Sequence, residues 1–342
     1  MVQSPSHFVL PDLFSLSSAF HDATNPFWKR GAIESRRWVD SYAIFADRRR
    51  AFFLQGQSEL LCSHSYPYAG YEEFRTCCDL INLLFVIDEL SDEQCHGDVR
   101  HTGDIFLQAM RDPTWSDGSK LARMTADVRA RLMMTIKPNT FRRFLAHCHA
   151  YINSVIQEAR LRDRGEVLGF EDYVHLRREN SAVRVCFGMI SYILGIDLPE
   201  EVFEDRNFQK VYFSAVDMVC LSNDLYSYNM ELNRGLEGNN FVTVLMRTQN
   251  MGIQAACDFV GGHYKQLMDD FLSAKSSLRS FGPEVDLDVK RYIDACQHWP
   301  AGNLAWSFET PRYFGAHRHQ ILRTRIVPLK PLEHEPIKED DD

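Results

Sequence analysis

Asn223, Ser227 and Glu231 recur four residues apart in "SNDLYSYNMEL" (residues 222–232), an otherwise apolar and aromatic run. Four residues of α-helix turn by about 400°, so the three side chains drift only about 40° each and rise about 6 Å per step along one face. An uncompensated polar row on a buried helix is costly. Interhelical hydrogen bonds would satisfy it, and so would a cation. An amide oxygen, a hydroxyl and a carboxylate suit magnesium; they suit zinc poorly, because zinc prefers sulfur and imidazole. A second oxygen cluster closes "INLLFVIDELSDEQ", where Asp88 and Asp92 share a face and Glu89 and Glu93 form a rotated pair. Carboxylates at a helix C-terminus oppose the macrodipole, and either solvent or bound cations must relieve them. Hard divalent ions take carboxylate oxygens together with water and substrate phosphate. Two such clusters at the mouth of an apolar bundle would hold a metal-bound polyphosphate, with the interior receiving what the polyphosphate carries.

The elements that must position these groups read as helices. Patterning at 3.6 residues covers roughly 32–50, 70–90, 119–135, 139–163, 170–195, 207–232, 240–250, 253–280 and 286–298. Pro138 with Asn139 and Thr140 marks a helix start, and Gly282-Pro283 a stop. Gly261-Gly262 reads as a kink or a loose junction. Alternating strand-like runs are essentially missing, so the fold class is all-α. The breaks "CHGDVRHTGD", "RDPTWSDGS", "LNRGLEGNN" and "HWPAGN" are short and flanked by apolar helices. They leave one domain over residues 27–327, an irregular lead-in over 1–26, and an acidic, disordered tail over 328–342.

A chain of 342 residues can bury a sizeable core. Its net charge of −9 argues against a broad nucleic-acid-binding surface and leaves any anionic substrate in need of local cations. Nine scattered cysteines without a CxxC pair fit a reduced intracellular protein, with Cys77 and Cys78 as core fillers. No basic-then-apolar leader opens the sequence. The longest apolar stretch, "VCFGMISYILGI", is too short to span a bilayer. The expectation is a cytoplasmic protein without stable membrane insertion.

Four stretches, in this order, make the sequence similar to the class I terpene cyclases, specifically the fungal-type sesquiterpene synthases, over about residues 10–320. They are Asp88-Glu89-x-x-Asp92, "HLRRENSAVR", Asn223-Asp224-x-x-Ser227-x-x-x-Glu231, and "GNLAWSFETPRY" with its Arg312-Tyr313 pair. "SYPYAGYEEFR" and "NPFWKR" also look like this group. Chain-elongating prenyltransferases share the fold but carry a second aspartate-rich motif where this chain has Asn223, Ser227 and Glu231, and no "DxDD" motif of class II cyclisation is present.

The resemblance implies an α-helical bundle around an apolar cavity in which metal-assisted loss of diphosphate ionises a prenyl substrate. It implies three Mg²⁺ ions, with Mn²⁺ as a substitute: two on Asp88, the third on Asn223, Ser227 and Glu231. Asp92 is implied as a direct ligand or as a partner in a closure salt bridge. Arg177, 46 residues ahead of Asn223, falls at the spacing of the family's diphosphate sensor; Arg178 fits by composition alone. Asn180 and Ser181 then occupy the linker and effector positions, with Ala182 where a glycine is common. Arg312 and Tyr313 would donate hydrogen bonds to the diphosphate. Members often have lysine just before the motif's glutamate; here it is Met230, and Arg234 in "NRGLEG" is the candidate replacement.

After ionisation a carbocation must be held without being quenched. Aromatic faces stabilise cations by about 0.5–2 kcal/mol each, and an apolar wall excludes water. Phe85 and Trp306 match cavity-lining positions of the family, Tyr66 and Phe187 less well; each reads equally as plain core. "HCH" at 147–149 points to nearly opposite sides of a helix. Asp217 lacks a paired partner in the sequence and is expected at the surface. No general base is visible. The expected activity is cyclisation of farnesyl diphosphate by a monomer or homodimer, opening with 1,11-closure toward a protoilludene-type product. The alternatives are a non-catalytic prenyl-diphosphate-binding homologue, a cyclase of geranyl or geranylgeranyl diphosphate, or a helical scaffold, which would leave the paired oxygen clusters unexplained.

Overall fold

The computed structural model describes residues 5–329, and the polar stripes of the sequence lie there on helices packed through their apolar faces. A short strand, His7–Val9 (β1), precedes Leu13–Leu16 (α1), Trp28–Ser41 (α2), Asp47–Gln55 (α3), Ser58–Ser65 (α4) and Tyr71–Ser91 (α5). Then follow His96–Arg111 (α6), Lys120–Leu132 (α7), Pro138–Arg164 (α8), Phe170–Asn180 (α9), Val183–Leu194 (α10) and Glu200–Glu204 (α11). Arg206–Arg234 (α12), Phe241–Thr248 (α13), Ile253–Ser276 (α14), Pro283–Cys296 (α15), His298–Glu309 (α16), Arg318–Thr324 (α17) and Ile326–Pro328 (β2) complete the order. The fold class is all-α, as the periodicity predicts. The expected acidic tail lies outside the described residues from 330 onward.

The 29-residue α12 is central. Asp205 caps its start by accepting from the Asn207 and Phe208 amides, and Gly235, at φ 73°, ends it in the left-handed region. It packs against α9, α10, α13, α14, α15 and α16. Helix α5 is pinned at depth by Asp79, which is fully buried and engages Arg75, Arg131 and the Ser35 hydroxyl (2.6 Å). This joins α2, α5 and α7 and fixes the axis that carries Asp88. One apolar cluster runs from Phe8 to Val327. These two residues face each other across the antiparallel pairing of β1 with β2, so the lead-in holds a strand and a short helix within its expected irregular span.

The remaining differences have a common physical source. Stretches read as breaks, "CHGDVRHTGD" and "HWPAGN", lie within α6 and the start of α16. Pro300 sits in the first turn of α16, where no intrahelical hydrogen bond is lost. Gly302 permits α16 to approach α4 so closely that a Cβ there would stand 2.7 Å from the His64 Cβ. Likewise α14 runs unbroken through Gly261-Gly262; a Cβ on Gly261 would stand 2.6 Å from Pro11. Glycine here marks contact rather than flexibility. The single helices expected over 32–50 and 170–195 are each divided, the second at Ser181–Ala182. Gly282-Pro283 opens α15 instead of stopping α14. All nine cysteines are free and only Cys95 is exposed. Among the described residues no helix is long and apolar enough to cross a membrane.

Beneath Gly302, His64 is 2 % exposed and lies 2.7 Å from Asp22 and 3.3 Å from Glu309. Burial alone would lower its pKa, but the two carboxylates raise it from 6.5 to about 9. A histidine whose folded pKa is raised contributes stability fully below its unfolded pKa and loses it as pH rises through the folded one. The native protein is therefore expected to lose roughly 1–3 kcal/mol between about pH 6.5 and 9 that a His64→Gln variant does not lose, checked by denaturant unfolding at each pH.

Candidate active site

Helices α5 and α12 change character along one face in the same way. The face of α5 carries Ile81, Leu84 and Phe85 before Asp88 and Asp92; that of α12 carries Val219 and Cys220 before Asn223, Ser227, Met230, Glu231 and Arg234. Both faces line one cavity of about 350 Å³, together with α8, the α9–α10 junction and α16. All the predicted site residues line it: Phe85, Asp88, Asp92, Arg177, Asn180, Ser181, Asn223, Ser227, Glu231, Trp306, Arg312 and Tyr313. Tyr66 and Phe187 do not. Tyr66 is buried with its hydroxyl donating to the Cys186 carbonyl (2.8 Å), and Phe187 packs on Tyr212 and Trp299. Tyr151 and Trp299 line the cavity in their stead. Trp299 is obscured in the sequence because "HWPAGN" reads as a loop.

The cavity mouth is rich in enclosed carboxyl groups. Asp88 is open to the cavity but surrounded by protein, and this enclosure, reinforced by Asp92, raises its pKa to about 6 against the opposing Arg312, Arg177 and Arg234. Enclosure raises Asp92 to about 6 too, against the pull of its partner Arg234 at 3.4 Å. Burial also raises Glu231, with Asp224 adding to it and hydrogen bonds from Ser227 and Asn240 holding it back. Glu158 on α8 is raised by burial in the same way. The orphan carbonyls at the end of α5 are met by guanidinium groups: Arg49 donates to Glu89 O (2.7 Å), and Arg162 to Ser91 O (2.7 Å).

Arg177 is held from three sides. Its Nε donates to Asp224 Oδ1 (2.8 Å), one Nη to Asn180 Oδ1 (3.2 Å) and the other to Asn223 Oδ1 (2.8 Å). Asn180 in turn donates to Glu158 (2.7 Å), and Asn223 Nδ2 to the Tyr313 hydroxyl (2.7 Å). A hydrogen-bonded chain thus crosses the mouth from α8 through α9 and α12 to Tyr313. Helix α9, which carries Arg177 and Asn180, gives way to α10 at a break where Ala182 takes φ 59°, in the left-handed region. Arg178 turns away and grips Asp217 with two bonds of 2.7 and 2.6 Å. Asp217 is buried, not at the surface as its sequence neighbourhood predicts. Of the two neighbouring arginines, Arg177 lines the cavity and Arg178 does not.

Asp224 and Glu158 escape sequence reasoning. Asp224, 1 % exposed, accepts from Arg177, from the Phe241 amide (2.9 Å), and lies 2.7 Å from the Tyr173 hydroxyl. The signal for Glu158 is a carboxylate at the i+7 position from Tyr151 on an otherwise apolar face of α8.

The donor set fits a hard divalent cation. Among the described residues no group of three or more His, Cys, Asp and Glu side chains is arranged to hold a metal. A cation here would use amide and hydroxyl oxygens beside the carboxylates, plus oxygens arriving with substrate and water, as magnesium does.

The profile of the family described as "Terpene synthase family 2, C-terminal metal binding" matches residues 79–270, a span that contains both oxygen rows. The chain is 49 % identical over 329 residues to bifunctional terpene synthase Agr4 of Cyclocybe aegerita, covering 96 % of this chain and 95 % of that one. It belongs to the terpene synthase family. It is also 52 % identical over 324 residues to a Coprinopsis cinerea protein named linoleate 10R-lipoxygenase COP4, covering 95 % and 93 % of the two chains. Germacradien-4-ol synthase of Streptomyces citricolor shares its fold, with a TM-score of 0.75 at 22 % identity over 85 % of this chain and 97 % of that one. This terpene synthase is a terpene cyclase, a carbon–oxygen lyase acting on a prenyl diphosphate, and its family is a metal-binding one.

Replacing Asp224 should test how far the mouth depends on it. Asp224→Ala would leave the buried Arg177 charge uncompensated and is expected to destabilise the fold by about 3–5 kcal/mol, measured by denaturant unfolding.

Proposed function

We propose that this terpene synthase ionises farnesyl diphosphate with Mg²⁺ and cyclises it to a sesquiterpene hydrocarbon, releasing diphosphate. The reading rests on one juxtaposition: two oxygen-bearing helix faces and three diphosphate-directed side chains (Arg177, Arg312, Tyr313) ring the mouth of an aromatic-walled cavity. Bound Mg²⁺ supplies Lewis-acid stabilisation of the leaving diphosphate. Asp88 and the Asn223, Ser227 and Glu231 row would hold the three ions, with Mn²⁺ able to replace them; Asp92, paired with Arg234, serves closure. Arg177, Arg312 and Tyr313 donate hydrogen bonds to the anion, and Asn180 and Ser181 relay its arrival to the break before α10.

As the carbon–oxygen bond breaks, its electron pair leaves with diphosphate and the allylic cation remains inside the cavity. Trp299, Trp306 and Phe85 present aromatic surface to it, and the surrounding aliphatic wall keeps water away. Closure between carbons 1 and 11, followed by two further ring closures and proton loss, leads to a protoilludene-type tricyclic hydrocarbon. Diphosphate itself is the proton acceptor. The lipoxygenase activity in the name of the Coprinopsis relative is not part of this reading, which rests on the oxygen-bearing side chains and arginines at the mouth; among the described residues no histidine lines the cavity.

Incubation with farnesyl diphosphate and Mg²⁺ should yield a fifteen-carbon volatile and an equal amount of diphosphate, read by gas chromatography with mass detection. Absence of hydrocarbon from farnesyl, geranyl and geranylgeranyl diphosphates alike would overturn the proposal. Asn223→Ala should abolish turnover while leaving the unfolding midpoint in place; retained activity would remove the metal assignment.

A further inference from the structure

Helix α3 touches Glu89, Glu93, Arg234 and Arg312 around the cavity mouth, yet nothing above assigns it a part in the reaction. Its Arg49 pairs with Glu93 at 3.1 Å and donates to the Glu89 carbonyl. Its Phe52 ring receives two guanidinium groups, Arg234 at 5.1 Å and Arg312 at 6.0 Å from the centroid. The corner that follows accepts a hydrogen bond at Gly56 O from Trp306 Nε1 (2.7 Å).

The two arginines are also joined through one carboxylate. Glu89 Oε2 lies 3.7 Å from Arg234 and Oε1 3.5 Å from Arg312, and Glu89 is buried. These separations are ionic contacts longer than hydrogen bonds. A ring face attracts a guanidinium without using its N–H donors. Glu89 and Phe52 together therefore hold two like charges side by side while leaving donors uncommitted. Arg312 shows this directly: it is 7 % exposed, lines the cavity, and its Nε–H has no hydrogen-bond partner.

We propose that Phe52 is a positioning residue which, with Glu89, holds Arg234 and Arg312 as a paired-cation receptor for the diphosphate, Arg234 supplying the charge that Met230 lacks. The proposal rests on the prenyl diphosphate substrate but is specific about which groups receive it. Arg234 also lies 3.4 Å from Asp92, so the two guanidinium groups face Glu89 and Asp92 at ionic separations, and what the receptor offers an anion is the N–H donors these contacts leave available.

The test measures binding of inorganic pyrophosphate to the intact protein with Mg²⁺ by calorimetry, beside KM and kcat for farnesyl diphosphate. Phe52→Leu keeps apolar bulk and removes the ring face; it should weaken pyrophosphate binding by about tenfold and raise KM similarly. Phe52→Tyr should restore both to near native values. Combining Phe52→Leu with Arg234→Gln should cost less than the sum of the two single losses, because the ring acts through that arginine. Native-like pyrophosphate binding by Phe52→Leu, or an equal loss in Phe52→Tyr, would overturn the proposal. If Phe52→Leu fails to fold, Arg234→Gln alone decides: unchanged pyrophosphate affinity would remove Arg234 from the receptor. Because pyrophosphate binding is read without turnover, failure to make hydrocarbon would count against the proposed substrate and not against the receptor.

Discussion

Arg177 and Asp224 stand 2.8 Å apart beneath the cavity mouth, and the geometry above them depends on this contact. Burying two charges is affordable only when geometry is good and the remaining lone pairs and protons find partners. Here they do: Asp224 also receives Phe241 N–H and Tyr173, while Arg177 reaches Asn180 and Asn223. The pair consequently fixes α9, α12 and α13 relative to one another. It also fixes the Arg177 guanidinium at the cavity, while Arg178 is committed to Asp217.

The cation-directed and hydrocarbon-directed halves of the cavity share side chains. Phe85 lines the interior, yet the Arg312 guanidinium lies 4.9 Å from its centroid. Trp306 packs against Phe85 and Tyr313 and is anchored through its indole N–H to Gly56. A substitution meant to reshape the hydrocarbon wall at Phe85 therefore also disturbs the diphosphate end. The ring face turned to Arg312 is not free for a carbocation, which leaves Trp299 and Trp306 with more of that surface.

Features that depend on helical periodicity were legible in the residues alone. The α5 and α12 stripes repeat at helical spacing, so Asp88, Asp92, Asn223, Ser227 and Glu231 could be placed on faces before any packing was known. The choice of Arg177 over Arg178 came from the family resemblance, through its distance from Asn223, and not from periodicity. What escaped depends on contacts between distant segments. Asp217 looks unpaired because Arg178 is 39 residues away in the chain. Glu158 is a lone carboxylate until Asn180 is folded against it. Glycines at 261 and 302 read as breakers because nothing local reveals Pro11 or His64 pressing on the backbone. Tyr66 and Phe187 have the right chemistry for a cavity wall, but their orientation is set by tertiary packing.

The amide of Asn223 spans Arg177 and Tyr313, with its oxygen on the former and its nitrogen on the latter. That oxygen has a second lone pair, and a cation drawing on it would weaken its bond to the guanidinium and loosen an N–H for an anion. The positive and negative ligands would then each ease the other's arrival. Affinity for either one measured in isolation would understate what both achieve together, because part of the resting network is still in place when the first contact forms.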